Sequence, residues 1–296
     1  MKMHQGSTIK GQASTSTIMQ DEMSKEALIR AQGAGPFRTL RHFSSDSGLR
    51  IWKARDHRKG LGNTSAPKTV FQSLLFNLLI GSGFAIGALL FSVGAGLSLA
   101  PSYAQVLSVT QNQINLVFLV GSVFFTCAAY LQLIQSANAP PLSKTTEPSR
   151  SLVLIGWRPD DPGWLSSITQ FAGTLLFNVN TFDAWLGGGG WLRQDSLIWA
   201  PDLVGSVLFL IAGYLALVET CHNWWSWEPG SLAWWIVMIN FVGCVAFMIS
   251  AIFAFVPPTG PSATIIALST GFTLVGSLGF LIGAALSGPE SLAAAH

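Results

Sequence analysis

Residues 71–100 read FQSLLFNLLIGSGFAIGALLFSVGAGLSLA, thirty consecutive positions without a charged side chain. A helix that crosses about 30 Å of hydrocarbon needs about 20 such residues at ~1.5 Å rise each. A core helix of a water-soluble domain is broken by charges well before thirty positions, so the stretch reads as a membrane span. Outward from it the same character recurs, which gives six spans at roughly 72–95, 114–134, 166–186, 201–220, 232–255 and 263–286. A transmembrane β-barrel would show ~10-residue segments alternating polar and apolar, and these runs are apolar all round. The fold class is therefore all-α, a polytopic bundle of about six helices over 70–290. Its breaks carry the expected punctuation: LAPSYA, NAPPLSKTTEPS, LGGGG, CHNWWSWEPG and VPPTGP. Composition agrees, since only 10% of residues are charged, less than half the ~25% of a soluble domain.

Twelve of the sixteen Lys and Arg fall in the first 68 positions, so the net charge of +2 hides a basic tail joined to an almost uncharged remainder. Scattered among Ser, Thr, Gly and Gln, with acids between them, these cations form no nucleic-acid module, and no nucleic-acid partner is expected. With little to bury, residues 1–69 read as a mostly disordered tail. The late start and the length of the first apolar run argue against a cleaved signal peptide. IRAQGAGPFRTLRHFSSDSG has some presequence character, and the acids at Asp21, Glu22 and Glu26 argue against it. Arg50, Lys53, Arg55, Arg58, Lys59 and Lys68 precede the first span, the loop after it is uncharged, and Lys144, Arg150 and Arg158 follow the second. The positive-inside rule then puts both termini in the cytoplasm, with a plasma or inner membrane preferred to an organelle.

Tryptophans gather at three places: Trp157 and Trp164, then Trp185, Trp191 and Trp199, then Trp224, Trp225, Trp227, Trp234 and Trp235. An interfacial belt accounts for all three groups. A Trp-lined pocket for a carbohydrate or quaternary amine would account only for the last.

A second pattern repeats across the spans. Gln170, Gly173, Thr174 and Phe177 match Asp202, Gly205, Ser206 and Phe209, then Asn240, Gly243, Cys244 and Phe247, then Thr273, Gly276, Ser277 and Phe280. Part of it recurs in Gly121, Ser122 and Phe125, and Gly81 with Ser82 stands for it in the first span. Positions i, i+3, i+4 and i+7 share a helix face, so each copy is a stripe with a notch and a bulky knob that packs against protein. In lipid, close approach over small residues supplies much of the attraction between helices. Gly83 with Gly87, and Gly279 with Gly283, add GxxxG spacings, and such Gly-rich faces also suit a homo-oligomer in the lipid bilayer.

Ionisable groups at membrane depth are the route to function. Asp183 and Asp202, with Asn178, Asn180 and Thr181, make the candidate polar pocket near the outer ends of the third and fourth spans. Asp202 after Pro201 also reads as a helix cap. Glu219, Cys221, His222 and Glu228 put an acid, a thiol and an imidazole in one turn, without HExxH or CxxC. Cys127, Cys221 and Cys244 imply no pairing. No catalytic residue, metal site or cofactor is expected, and no phosphate-binding or nucleophile-elbow motif occurs.

QFAGTLLFNVNTFDAW, WAPDLVGSVLFLIAG and WWIVMINFVGCVAFMISAIFAFV resemble the YrhK-like integral membrane proteins over about Trp164 to Glu290. Short members of that family carry a Gly-Ser-then-Phe helix and longer ones repeat it. The resemblance implies a helical membrane fold and brings no reaction, cofactor or catalytic residue. Asp202, Gly205, Ser206 and Phe209, with Asn240, Gly243 and Phe247, transfer as pattern positions only. The long basic tail and the incomplete first copy depart from the family. The expected function is that of an integral membrane protein in a structural or sensing role, with a small-solute or ion transporter as the alternative and a membrane enzyme third.

Overall fold

A computed structural model describes residues 27–45, 48–62, 68–140 and 152–294 of the chain. Three strands come first, β1 (Ala27–Gln32), β2 (Leu40–Ser45) and β3 (Gly48–Lys53), followed by a short helix, α1 (Ala54–Lys59). Helices α2 (Leu74–Leu99), α3 (Pro101–Val106), α4 (Gln111–Ala137), α5 (Pro162–Leu186), α6 (Trp191–Cys221), α7 (Leu232–Phe253) and α8 (Ala263–Ala293) complete it. Local chemistry fixes the starts of the long helices. Ser73 accepts from Phe76 N at 3.2 Å, Thr110 and Gln113 form a capping box, and Asp161 caps α5 ahead of Pro162.

Five of these helices, α2, α4, α6, α7 and α8, are long and apolar enough to cross a membrane. Among their outward side chains Leu75 is 67% exposed and Ile252 56%, as lipid-facing positions should be. The chain is a multi-pass integral membrane protein. Helix α5 has the length, at 25 residues, but is diluted by polar groups that it spends on its neighbour. Thr181 pairs with Ser122 at 2.9 Å, Asn178 donates to Thr126 at 2.9 Å and Ser167 pairs with Ser136 at 2.8 Å.

Two sequence expectations are corrected. Residues 1–26 lie outside the described residues, but from Ala27 the expected disordered tail is a three-stranded antiparallel sheet in the order β1-β2-β3. In its register Arg41 faces Trp52 and Phe43 faces Arg50, and each guanidinium lies over its partner's ring, at 5.5 and 5.2 Å. Cross-strand cation–aromatic pairs do here what a hydrophobic core would do in a larger domain. The second correction concerns Asp202, which caps nothing. Helix α6 begins eleven residues earlier, at Trp191, and continues through a π-helical stretch, Gln194–Trp199, into Ala200–Cys221. Pro201 has no N–H to offer the preceding turn, and the wider π turn absorbs the missing bond.

The long helices form a closed ring. Each packs on the helices before and after it, and α8 returns to pack on α2. Within three antiparallel pairs the glycines meet face to face. A Cβ on Gly87 would stand 2.9 Å from Gly121 O, one on Gly173 3.2 Å from Gly205 O, and one on Gly243 3.0 Å from Gly276 O. The knob of each helix fills the notch of its partner, since the same hypothetical atoms on Gly121 and Gly276 would meet Phe91 and Phe247 at 2.8 and 2.9 Å. In the first span these roles belong to Gly87, Ala88 and Phe91, not to Gly81 and Ser82.

The small residue after each notch turns toward the next pair. Ser122 of α4 bonds Thr181 of α5 at 2.9 Å, Ser206 of α6 donates to Phe247 O of α7 at 3.4 Å, and Ser277 of α8 bonds Ser92 of α2 at 2.8 Å. Gly83 abuts Ala128 and Gly279 abuts Gly243, so the GxxxG faces expected to serve a homo-oligomer are consumed inside one chain. Six buried phenylalanines, Phe91, Phe125, Phe177, Phe209, Phe247 and Phe280, meet on the axis with ring centroids 5.0 to 6.2 Å apart.

This packing makes a direct prediction for purified variants in detergent. Gly205→Leu drives a side chain into the Gly173 backbone and should cost about 1–3 kcal/mol, while Phe209→Ala opens a cavity in the hub and should cost about 3–5 kcal/mol. Val204, half exposed on the lipid side, is the control, and Val204→Ala should stay within about 0.5 kcal/mol. Equal losses of thermal stability in all three would show that the stripe is not the packing face.

Candidate functional site

The chemistry-bearing residues collect where α1 enters one end of the ring. Gly60 closes α1 in the left-handed conformation, at φ 70°, which glycine adopts without strain. Two carbonyls at that end are tied to the start of the bundle, as Gln72 donates to His57 O at 2.6 Å and Asn77 to Lys59 O at 2.8 Å. Gln135 of α4 ties the same region together, donating to Phe71 O at 2.7 Å and to Asn77 Oδ1 at 2.9 Å. His57 Nε2 lies 3.0 Å from Pro140 O. Held in this way, α1 turns Arg55, Arg58 and Lys59, at spacing i, i+3 and i+4, into the bundle.

Two acids meet them there, from the ends of helices that have few other charges. Arg55 grips Glu290 of α8 with both terminal nitrogens, at 2.5 and 2.9 Å, and Lys59 reaches the same carboxylate at 2.6 Å. Arg58 grips Glu219 of α6 through Nη2 at 2.7 Å and Nε at 3.4 Å. The site is buried, with Arg55 6%, Arg58 9% and Glu219 1% exposed. Gly163, in the first turn of α5, is what lets the second pair form, because a Cβ there would overlap Glu219 Oε1 and crowd Arg58 Nε. Burial opposes the Arg55 charge, but the field and hydrogen bonds of Glu290 outweigh it and hold its pKa above the ordinary value. Burial, and then the neighbouring Arg55, pull the Lys59 ammonium down to about 8 in spite of Glu290.

Beneath this ion cluster lies a cavity of about 150 Å³, the size that holds a benzene-sized molecule in an engineered core. All six long helices and α1 line it. Besides the ion cluster its polar wall carries the carboxamides of Asn77, Gln132, Gln135, Gln170 and Asn240, with Ser166 and Ser287. Gln132 donates to Gln170 at 3.1 Å, and Gly283 leaves the room that the Asn240 amide occupies. Phe84, Phe209 and Phe280 close the far end. Beyond them the space among the six hub rings is about 10 Å³ with Ser122 as its one polar neighbour, too small and too apolar to hold ordered water.

Of the site residues expected from sequence the structure brings two together, the Asn180 side chain of α5 against the Asp202 carboxyl of α6. Among the described residues Asp183 pairs with Arg193 at 2.5 Å and leaves its Oδ2 buried without a partner, while Thr181 bonds Ser122 and Asn178 bonds Thr126. None of the five, Asn180 included, lines the cavity. The turn after α6 disperses as well: Glu219 pairs with Arg58, His222 Nδ1 meets Thr39 Oγ1, just before β2, at 3.0 Å, and Glu228 accepts from Ser226 at 2.6 Å. Among the described residues no three His, Cys, Asp or Glu could hold a metal ion together. The belt tryptophans divide. Trp164 and Trp234 are buried and donate to Ile155 O and Ser226 O, at 2.8 and 3.0 Å, while Trp157 and Trp227 remain exposed.

Sequence reasoning missed the ion cluster because Arg55, Arg58 and Lys59 served there only to orient the chain. The available signals were their one-face spacing before the first span and the single acids, Glu219 and Glu290, at the ends of two other spans. No family model matches the chain, and no curated protein or solved structure matches it either.

Two measurements test the site. Glu219→Gln leaves the buried Arg58 guanidinium without its counter-charge and should cost about 3–5 kcal/mol, whereas Arg58→Met with Glu219→Leu should recover much of the loss. The pH dependence has a definite sign for Lys59. Between about pH 8 and its ordinary 10.5, the unfolded side chain holds a proton that the folded one has released, so stability rises with pH in that window. The wild-type melting temperature should therefore climb relative to Lys59→Met from pH 8 to pH 10. Parallel curves would mean that Lys59 is not held in a desolvated site.

Proposed function

We propose that this chain is a membrane transporter for a small polar solute, with the cavity under α1 as its binding site and the phenylalanine hub as the barrier on the translocation axis. The observation that carries this reading is the position of the cavity. It lies on the ring axis, takes polar groups from every long helix, and ends at an apolar plug. A scaffold protein has no use for five carboxamides around an internal space, since buried polar groups cost stability unless they are needed. Ligand sites of transporters form between helices near the membrane interior, where the bundle can rearrange around them. In this reading Asp183 and Asp202 are structural, and the solute enters from the end that bears α1.

The same reading orients the chain. Positive charge concentrates in the segment before α2, so that end, with both termini, faces the cytoplasm of a plasma or inner membrane. The six Gly-small-Phe faces are read as repeats of one helix unit, and on that pattern, over 164–290, the chain is assigned to the YrhK-like membrane proteins.

A second reading, sensing, has one observation in its favour: α1 follows β3 with no intervening residue, so a solute that displaced α1 would move the sheet. Flux separates the two. In proteoliposomes the wild-type protein should give saturable uptake of a panel solute of about five to eight non-hydrogen atoms, and Asn240→Leu should reduce it at least tenfold with the fold intact. Phe247→Ala should make the vesicles leaky to small solutes. Saturable binding without flux, in wild type and hub variant alike, would leave a sensor, and absence of both binding and flux would sink the cavity as a solute site.

A further inference from the structure

We propose that the solute is a small anion bearing one carboxylate or one oxyanion group, held between the cations of α1 and the carboxamides of the cavity wall. This deepens the transport reading and rests on it. The argument begins with charge. Arg55, Arg58 and Lys59 line the cavity, and only Glu219 lines it from the acid side. Glu290, which does not line it, is shared by Arg55 and Lys59. Three cations thus share two carboxylates. Asp56 and Asp161 act on the cluster through space, but neither lines the cavity, and Asp161 is committed to capping α5 through Gly163 N at 2.9 Å. Cations that face the cavity while most of their counter-charges lie outside it are costly to hold away from water, and a monoanion in the cavity gives them a partner there.

Geometry agrees with charge. Each bidentate pair leaves donors over: among the described residues Nε of Arg55, Nη1 of Arg58 and two protons of Lys59 have no carboxylate partner. Guanidinium and ammonium groups together suit a planar carboxylate or a tetrahedral oxyanion. The carboxamides of Gln132, Gln135 and Asn240 can donate to further oxygens or accept from a hydroxyl. A volume of about 150 Å³ limits the ligand to about five to eight non-hydrogen atoms, which admits inorganic phosphate or a three-carbon hydroxy acid and excludes nucleotides and dicarboxylates of five carbons or more.

The test uses the full-length protein in nanodiscs and four probes: lactate and inorganic phosphate as anions, glycerol as a neutral solute, and choline as a cation. Thermal shift and equilibrium binding should respond to lactate or phosphate and not to glycerol or choline, and which anion responds distinguishes a carboxylate from an oxyanion. Lys59→Gln should weaken that binding at least tenfold while Lys59→Arg keeps most of it. The charge selectivity is measured on wild-type protein, so a variant that fails to fold leaves the test intact. Binding of glycerol or choline with both anions inert would overturn the anion assignment and leave a polar-solute cavity standing. No response to any of the four would remove the cavity as a small-solute site and the anion assignment with it.

Discussion

The ring depends on two backbones meeting where neither has a side chain. At Gly87 and Gly121, Gly173 and Gly205, and Gly243 and Gly276, a carbonyl oxygen of one helix stands where the other's Cβ would be. Lipid chains are as apolar as leucine, so a membrane helix gains little from burying apolar area, and close contact supplies the attraction. The phenylalanine one turn on from each notch then lies over the partner's glycine. Successive residues on a helix are ~100° apart, so the small residue that follows the glycine faces a different neighbour. One two-residue step therefore serves two interfaces, and three serine contacts join three glycine pairs into a closed ring.

A ring of six needs something at its centre. One phenylalanine from each helix fills the middle, but a layer of rings is only one turn thick, and the space toward α1 stays open. Side chains there can be polar because their neighbours across the axis are polar too, as in the Gln132–Gln170 and Gln135–Asn77 hydrogen bonds. The mouth holds buried ion pairs where a simple stability argument would favour leucine, since replacing such pairs by apolar groups is often neutral or better.

Much of the fold was legible in the sequence, and the parts that were not have physical reasons. The six apolar runs located all six long helices, because length and hydropathy are local properties, but α6 starts ten residues before its expected span and α8 ends seven residues beyond its own. The Gly-small-Phe pattern named the packing face of four helices. It failed in α2, where Gly81, Gly83, Gly87 and Gly94 offer several registers and only the partner at Gly121 selects one. The sheet was hidden because its strands are held by Arg41 with Trp52 and Phe43 with Arg50, residues that look like a solvated tail when counted and like a ladder only when paired. The site was the least legible part. Asp183 and Asp202 attracted attention as acids near a hairpin, yet Asp183 pairs through one oxygen with Arg193 ten residues on, a local partner. Arg55 and Glu290 are 235 residues apart, and no spacing rule connects them.

That separation also orders events in time. A membrane protein is made from its amino end, and at about 5–20 residues per second the carboxylate of Glu290 emerges some ten to fifty seconds after the guanidinium of Arg55. Arg58 meets Glu219 partway through that interval, while Arg55 and Lys59 wait for the carboxylate of Glu290. The site therefore closes only once α8 is in place, and a chain without α8 keeps two cations of α1 unmatched by that carboxylate.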